Sequence, residues 1–230
     1  MTTDPDVIAQ VRKTLDVLFE PGDMTELRVL GAPGAGIVSG YYSDFDKLAR
    51  DAAKWDGEAP GIYVCLNPCK PGLLDRSPNR FRTHCKHGDL THDSDILKRR
   101  WLPIDIDPVR PADTSATDQE HFAAIARARV IRSVLAVEGW PEPIVADSGN
   151  GAHLLYRADF PNDGTSRDRI RAALVTIAER FSTQAVKIDR SVSNAARIWK
   201  LYGTLVCKGQ NTPQRPHRRS QLLELLIEDP

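Results

Sequence analysis

Leu102-Pro103-Ile104-Asp105-Ile106-Asp107 alternates apolar and acidic residues with a period of two, the pattern of a half-buried β-strand. Successive side chains leave a strand on opposite faces, so Asp105 and Asp107 project to one side and Ile104 and Ile106 to the other. The two carboxylate stems then stand roughly 7 Å apart. Apolar neighbours make two unpaired carboxylates costly, and a divalent cation resolves that cost. The same D-x-D spacing also occurs in sugar-nucleotide transferases, calcium sites and caps, so alone it leaves the chemistry open.

Downstream, Thr117 and Glu120 form a capping box that starts a helix running to about Glu138. Phe122, Ala126, Val130, Val134 and Val137 are expected along its buried stripe. Strands are expected at Ile144 to Asp147 and Ala152 to Arg157, joined by Ser148-Gly149-Asn150-Gly151, whose Asn-Gly step signals a hairpin. Ile170, Ala173, Leu174, Ile177, Ala178 and Phe181 mark a second amphipathic helix, and Ala185 to Ile188 a last strand. Strand, helix, strand, strand, helix, strand is the split β-α-β order of ferredoxin-like folds.

Upstream, Val7, Ile8, Val11, Leu15 and Leu18 predict a helix from about Asp4 to Phe19, ended by Pro21 and Gly22. Strands follow at Leu27 to Leu30 and Ile37 to Tyr42, then a helix capped by Ser43 and reaching Trp55, then a strand at Ile62 to Leu66. Asn67 to Arg100, rich in Pro, Gly, Asn and His, reads as surface loops with short helical turns.

The 230 residues, 41% of them hydrophobic, suffice for one sizeable α/β domain. Thirty-one basic residues balance thirty-one acidic ones, and no apolar tract approaches the roughly 18 to 20 residues that cross a bilayer. Asp4 and Asp6 precede Arg12 and Lys13 with no unbroken apolar run after them, unlike a signal peptide, so a cytoplasmic location is expected. Charge is uneven along the chain. Lys187, Arg190, Arg197, Lys200, Lys208, Arg215, Arg218 and Arg219 face only Asp189, and Arg76, Arg80, Arg82, Lys86, Lys98, Arg99 and Arg100 form a second basic stretch. Cys65, Cys69, Cys85 and Cys207 lack C-x-x-C spacing, so no zinc site is expected at Cys69, His84, Cys85 and His87, and the thiols are expected reduced.

Two further elements add chemistry. The Ser148 to Gly151 turn can bring backbone N–H groups to an anion, and alternation puts His153, Leu155 and Arg157 on one face, where His153 and Arg157 could meet one phosphate. An ordinary turn with a half-exposed histidine fits the same letters. Asp189 ends the last strand, which in a split β-α-β sheet can lie beside the strand of Asp105 and Asp107; it could equally cap the turn Arg190 to Asn194.

In order and spacing these segments resemble the archaeo-eukaryotic primase superfamily, especially the primase-polymerases of phages, plasmids and mobile elements. Leu102 to Asp107 looks like its acidic first motif, Ser148 to His153 like the second, whose histidine contacts nucleotide phosphates, and Lys187-Ile188-Asp189 like the third, which supplies the remaining metal-binding acid. Asn194, Arg197, Lys200, Leu201, Tyr202, Gly203 and Thr204 resemble the segment reaching the triphosphate, and Arg215-Pro216-His217-Arg218 follows as in the mobile-element branch. Ser39 to Tyr42 and Leu66-Asn67-Pro68 match more weakly, so the resemblance spans about Gly36 to Ser220. Gly151 stands where the family usually has a small polar residue, and Ser148 is the nearby hydroxyl.

The resemblance implies an α/β catalytic core in which a ferredoxin-like, RRM-like sheet packs on an N-terminal α/β part. Residues 1–100 would form that part, 101–220 the RRM-like part and 221–230 a tail, a possible linker to a missing downstream domain. It also implies template-dependent nucleotidyl transfer from (d)NTPs to a 3′-hydroxyl. Asp105, Asp107 and Asp189 would hold two Mg²⁺ or Mn²⁺ ions, and Ser148, Asn150, Gly151, His153, Arg197 and Lys200 the nucleotide. Single-stranded template and primer are the implied partners, with a helicase as a further one, and Arg76, Arg80, Arg99 and Arg100 are the candidates for DNA phosphates. Two rivals are a metal-dependent nucleotide-sugar transferase, which leaves the hairpin histidine unexplained, and a non-catalytic nucleic-acid binding module, which calls for sheet aromatics that these strands largely lack.

Overall fold

The computed structural model describes residues 4–223. Helix α1 (Pro5–Leu18) starts where the Asp4 carboxylate accepts the Asp6 N–H, and it buries Val7, Val11, Leu15 and Leu18. Strands β1 (Thr25–Ala32), β2 (Gly36–Tyr42), β3 (Gly61–Cys65) and β4 (Arg80–Arg82) build a first sheet around α2 (Phe45–Ala53). The cap of α2 is Asp44 rather than Ser43: its carboxylate accepts the Lys47 N–H at 2.9 Å, and Asn79 holds the backbone N–H groups of both residues.

The strand of the opening hexapeptide, β5, runs from Lys98 to Pro108, four residues further upstream than its alternation shows. Then come α3 (Asp118–Val137), β6 (Ile144–Asp147), β7 (Ala152–Pro161), α4 (Gly164–Phe181), β8 (Val186–Ile188) and β9 (Ile198–Lys200). Two-residue strands β10 (Leu205–Val206), β11 (Arg218–Arg219) and β12 (Gln221–Leu222) follow. The second sheet has the order β12-β6-β7-β5-β8 with every pairing antiparallel. Ile104 and Ile106 are fully buried beneath α3 and α4, each contributing about 2–3 kcal/mol of burial, and this anchors the opposite face, with its two acids, toward the first sheet. Among the described residues no helix is long and apolar enough to cross a membrane.

Two boundaries differ from the sequence reading. The first sheet, β4-β2-β1-β3-β9, takes its edge strand from beyond residue 101: Ile198 to Lys200 pair antiparallel with Cys65 to Tyr63. A division at residue 100 therefore does not separate two units, and one hydrophobic core runs through both sheets. Gln221 and Leu222, placed in the tail, pair with Asp147 and Ala146; the rest of that tail, 224–230, lies outside the described residues.

Helix α3 begins at the expected capping box, where Thr117 accepts the Glu120 N–H and Glu120 accepts the Thr117 N–H. Its buried stripe is different: His121, Ala124, Ala128, Ile131 and Leu135 face the sheet, whereas Phe122, Val130 and Val137 are solvent-exposed. The largest apolar residues pointed to the wrong phase. Alanines on the inner face let the helix lie close to β5 and β7, and His121 is accepted there because Asp147 satisfies it at 2.9 Å.

Candidate active site

The space between the two sheets narrows to a cleft of about 340 Å³. From the second sheet it receives Asp105, Asp107, His153 and the turn residues Ser148 and Asn150, and from the first sheet Leu30, Tyr63, Trp199 and Lys200. Arg110, Arg197 and Lys208 add further positive charge to the lining. Asp105 and His153 are direct partners across β5 and β7, so their side chains leave the sheet on the same face, and His153 Nε2 lies 3.4 Å from Asp105 Oδ1. The other ring nitrogen, Nδ1, meets the Tyr202 hydroxyl at 2.8 Å. Trp199 Nε1, which can only donate, gives its proton to the same hydroxyl oxygen at 2.8 Å. Nδ1 is thus engaged by the Tyr202 hydroxyl, and Nε2 is directed at Asp105 and the cleft.

The hairpin turn forms where expected, with its own backbone N–H groups bonded inside the chain. Gly149 adopts φ +90°, the Gly151 N–H donates to Ser148 Oγ at 2.9 Å, and Asn150 Oδ1 accepts the Ala116 N–H at 2.8 Å, tying the turn to the approach to α3. A Cβ on Gly151 would stand 2.3 Å from the Ile106 carbonyl oxygen, so the small polar residue of the related motif has no room here.

The electrostatics are polarised. Burial raises the proton affinity of Asp105, but the His153 hydrogen bond and charge, with Arg197 and Arg110, outweigh it and hold this carboxyl below its ordinary range. Asp107 is pushed above that range by burial and by the Asp105 charge, against the Arg110 guanidinium at 3.0 Å. Burial and both carboxylates raise the Tyr63 hydroxyl as well. Across the cleft, burial lowers the Lys200 ammonium to about 7.

Asp189 is next to this pair without joining it. Its backbone N–H donates to the Asp105 carbonyl at 3.0 Å, as the pairing of β8 with β5 requires. Its carboxylate, however, accepts the Ser191 N–H at 2.7 Å and faces Arg197 Nη2 at 3.3 Å, so it caps its own turn and does not line the cleft. Among the described residues no three His, Cys, Asp or Glu side chains gather as a metal cage. The expected three-carboxylate cluster is thus a pair plus an acid that orients Arg197. The pair still suits a hard cation, because it is crowded and electron-rich, and Mg²⁺ is commonly held by one or two carboxylates together with substrate phosphates.

Other expected contacts fall elsewhere. Arg157 turns from His153 to Glu20 and Asp159 and covers the Trp101 ring at 5.5 Å. Arg100 is buried and paired with Glu20 and Asp23, and Arg99 is buried with Nη1 on the Ser193 carbonyl at 2.7 Å, so neither presents its charge to a DNA backbone. Arg80 is exposed, and Arg76 is half-exposed with Asp95 at 3.8 Å. Arg215 and Arg218 hold Glu120 and Asp118 at the start of α3. Arg110 and Tyr63 were missed. The only trace of Tyr63 was a polar aromatic on the strand face opposite Ile62 and Val64, and Arg110 lies in a loop with no periodicity.

No protein family's sequence profile matches the chain, and no curated protein matches it. Two solved structures do. In the crystal structure of primase RepB′ the likeness covers 95% of this chain and 56% of that one, with 10% identity and a TM-score of 0.48, so this chain spans a little over half of that protein's length. In the crystal structure of the catalytic domain of primase RepB′ in complex with initiator DNA it covers 95% of this chain and 85% of that one, with 11% identity and a TM-score of 0.47.

Proposed function

We propose that this chain is a template-dependent primase-polymerase domain that transfers nucleotidyl groups from (d)NTPs to a 3′-hydroxyl. The observation that carries the reading is that Asp105 and Asp107, with His153 beside them on the same sheet, face Arg197 and Lys200 across a single cleft. A triphosphate with its cation needs that polarity, negative at one end and positive at the other. The β-α-β-β-α-β path with strand order β8-β5-β7-β6 supports the ferredoxin-like, RRM-like reading of the second sheet.

Asp105 and Asp107 would hold the divalent cations, Mg²⁺ or Mn²⁺, whose chemistry when bound is to neutralise phosphate charge and make the attacking hydroxyl more acidic. His153 donates from Nε2 to a phosphate oxygen, its ring held in place by Tyr202 and, through it, Trp199. Arg197, oriented by Asp189, and Lys200 hold the remaining phosphate oxygens through charge-assisted bonds. The Ser148 to Gly151 turn fixes the distance between His153 and the acids, because its backbone packs directly against Ile106 and Asp107. Single-stranded template and primer are the partners this reaction requires.

The test is primer extension on a single-stranded template with dNTPs and with NTPs, in Mg²⁺ and in Mn²⁺. Wild type is expected to extend the primer, and Asp105→Asn and Asp107→Asn to lose at least about a thousandfold in rate with the fold intact by circular dichroism. Full activity in either variant, or sugar-nucleotide turnover without extension by the wild type, refutes the reading.

A further inference from the structure

A second groove lies outside the cleft, between α4 and residues 190–193, the turn that follows Asp189. It consists of two adjoining depressions of about 690 and 670 Å³ that share Arg167, Arg171 and Val175, so it is continuous along the helix. Arg190, Ser191 and Ser193 form its other wall. Arg197, a few residues further along the same segment, lines the catalytic cleft.

The groove carries three arginines against one carboxylate in its lining, Asp168. Arg167 meets only its neighbour Asp168 at 2.9 Å, and Arg190 meets Glu179 at 3.9 Å, all four side chains more than half exposed. Pairs so placed contribute at most about 1 kcal/mol and leave the field of the arginines in place. Arg171 has no ion pair or hydrogen bond with any described residue. Beneath the turn, Arg99 donates to the Ser193 carbonyl at 2.7 Å and pairs with no carboxylate, so a buried cation supports the wall.

The charge pattern also runs against helix stability. Asp163 caps α4, its carboxylate accepting the Ser166 N–H at 2.7 Å, and Arg167, Arg169 and Arg171 follow within the next two turns. The Arg167/Arg171 pair at i,i+4 repels by a few tenths of a kcal/mol. A bound polyanion relieves that repulsion. The chain as a whole carries no net charge, so the positive character here is local.

We infer that the groove of Arg167, Arg171 and Arg190 is a track for the sugar-phosphate backbone of single-stranded DNA, through which the template strand is held outside the cleft. This rests on the primase-polymerase reading for the identity of the strand. One strand suits the geometry better than two: Arg167 and Arg171 stand in a single row about 5–6 Å apart, matched to successive phosphates of one chain, and the serine hydroxyls of the opposite wall supply neutral donors.

The experiment measures fluorescence anisotropy of a labelled oligo(dT) strand over a salt series, with wild type, Arg167→Gln/Arg171→Gln, and a control, Arg127→Gln/Arg129→Gln, on α3. The groove variant is expected to bind about tenfold more weakly, with its salt slope reduced by about 1.4, about 0.7 for each lost phosphate contact. Its binding of a fluorescent dNTP analogue should equal that of wild type. An unchanged slope overturns the inference, as does an equal loss in the control. Loss of binding to phosphatidylserine vesicles with oligo(dT) binding intact also overturns it. If wild type incorporates no nucleotide while the groove variant still loses its slope, the track stands and the polymerase reading alone falls.

Discussion

Replacing Lys200 with Met should make the protein more stable and a poorer enzyme, and the stability gain should depend on pH in a defined way. Lys200 is 5% exposed; its ammonium has one hydrogen bond, to the Leu205 carbonyl at 3.3 Å, and lies 5.6 Å from the centre of the Tyr63 ring. Burial lowers its pKa from 10.5 to about 7. The folded state therefore binds this proton less tightly than the unfolded state, and the charged lysine costs stability in full below about pH 7. That cost disappears as pH rises toward the unfolded value. At about 1.4 kcal/mol for each pH unit, it is about 5 kcal/mol near pH 6 and about 2 kcal/mol near pH 9. Methionine fills similar space without charge, so Lys200→Met should gain several kcal/mol near pH 6 and less than half of that near pH 9. For a chain of this size that raises Tm by about ten degrees or more at the lower pH. Urea unfolding of both proteins at the two pH values measures the difference, and extension kinetics should show KM for the nucleotide rising at least about tenfold. A gain equal at both pH values, or a loss of stability near pH 6, refutes the reasoning that a buried charge only partly offset by Asp56 is retained for binding.

Gly151→Ala forces a Cβ against the Ile106 carbonyl, so β7 must move relative to β5; we expect a loss of about 1–3 kcal/mol in thermal unfolding and about a hundredfold in extension rate. Asp189→Asn separates its two possible roles: as a partner that orients Arg197 its loss should mainly raise the nucleotide KM, whereas a collapse of kcat to the level of Asp107→Asn would make it a metal ligand. Phe122→Ser on the outer face of α3 should change unfolding free energy by less than about 0.5 kcal/mol, while Ile131→Ala on its inner face should cost about 2–5 kcal/mol.

What the sequence showed depended on how local the cause was. The acids on β5, the Thr117 capping box and the Ser148 to Gly151 turn are each set within a few residues, and each formed where the letters put it. The phase of α3 was not local. It follows from how closely the helix can approach β5 and β7, which favours Ala124 and Ala128 inside and leaves Phe122 outside. The same holds for Arg100, whose neighbours in the chain look like a surface patch but whose partners, Glu20 and Asp23, lie about eighty residues away. Asp189 carried two readings from the start, and its carboxylate engages Ser191 and Arg197, the second a contact that its neighbours in the chain did not foretell.

The edge strand β9 has a consequence for how such a chain can be inherited. Arg197 and Lys200 follow both acids in sequence, yet the backbone that carries Lys200 is hydrogen-bonded to β3, which precedes them. A genetic crossover near residue 100 would give one daughter both acids and β9 without the strand β3 that β9 pairs with, and the other a sheet stripped of its border strand. Neither product would have a working cleft, so the ancestry of this site is that of the whole chain, not of a transplantable module.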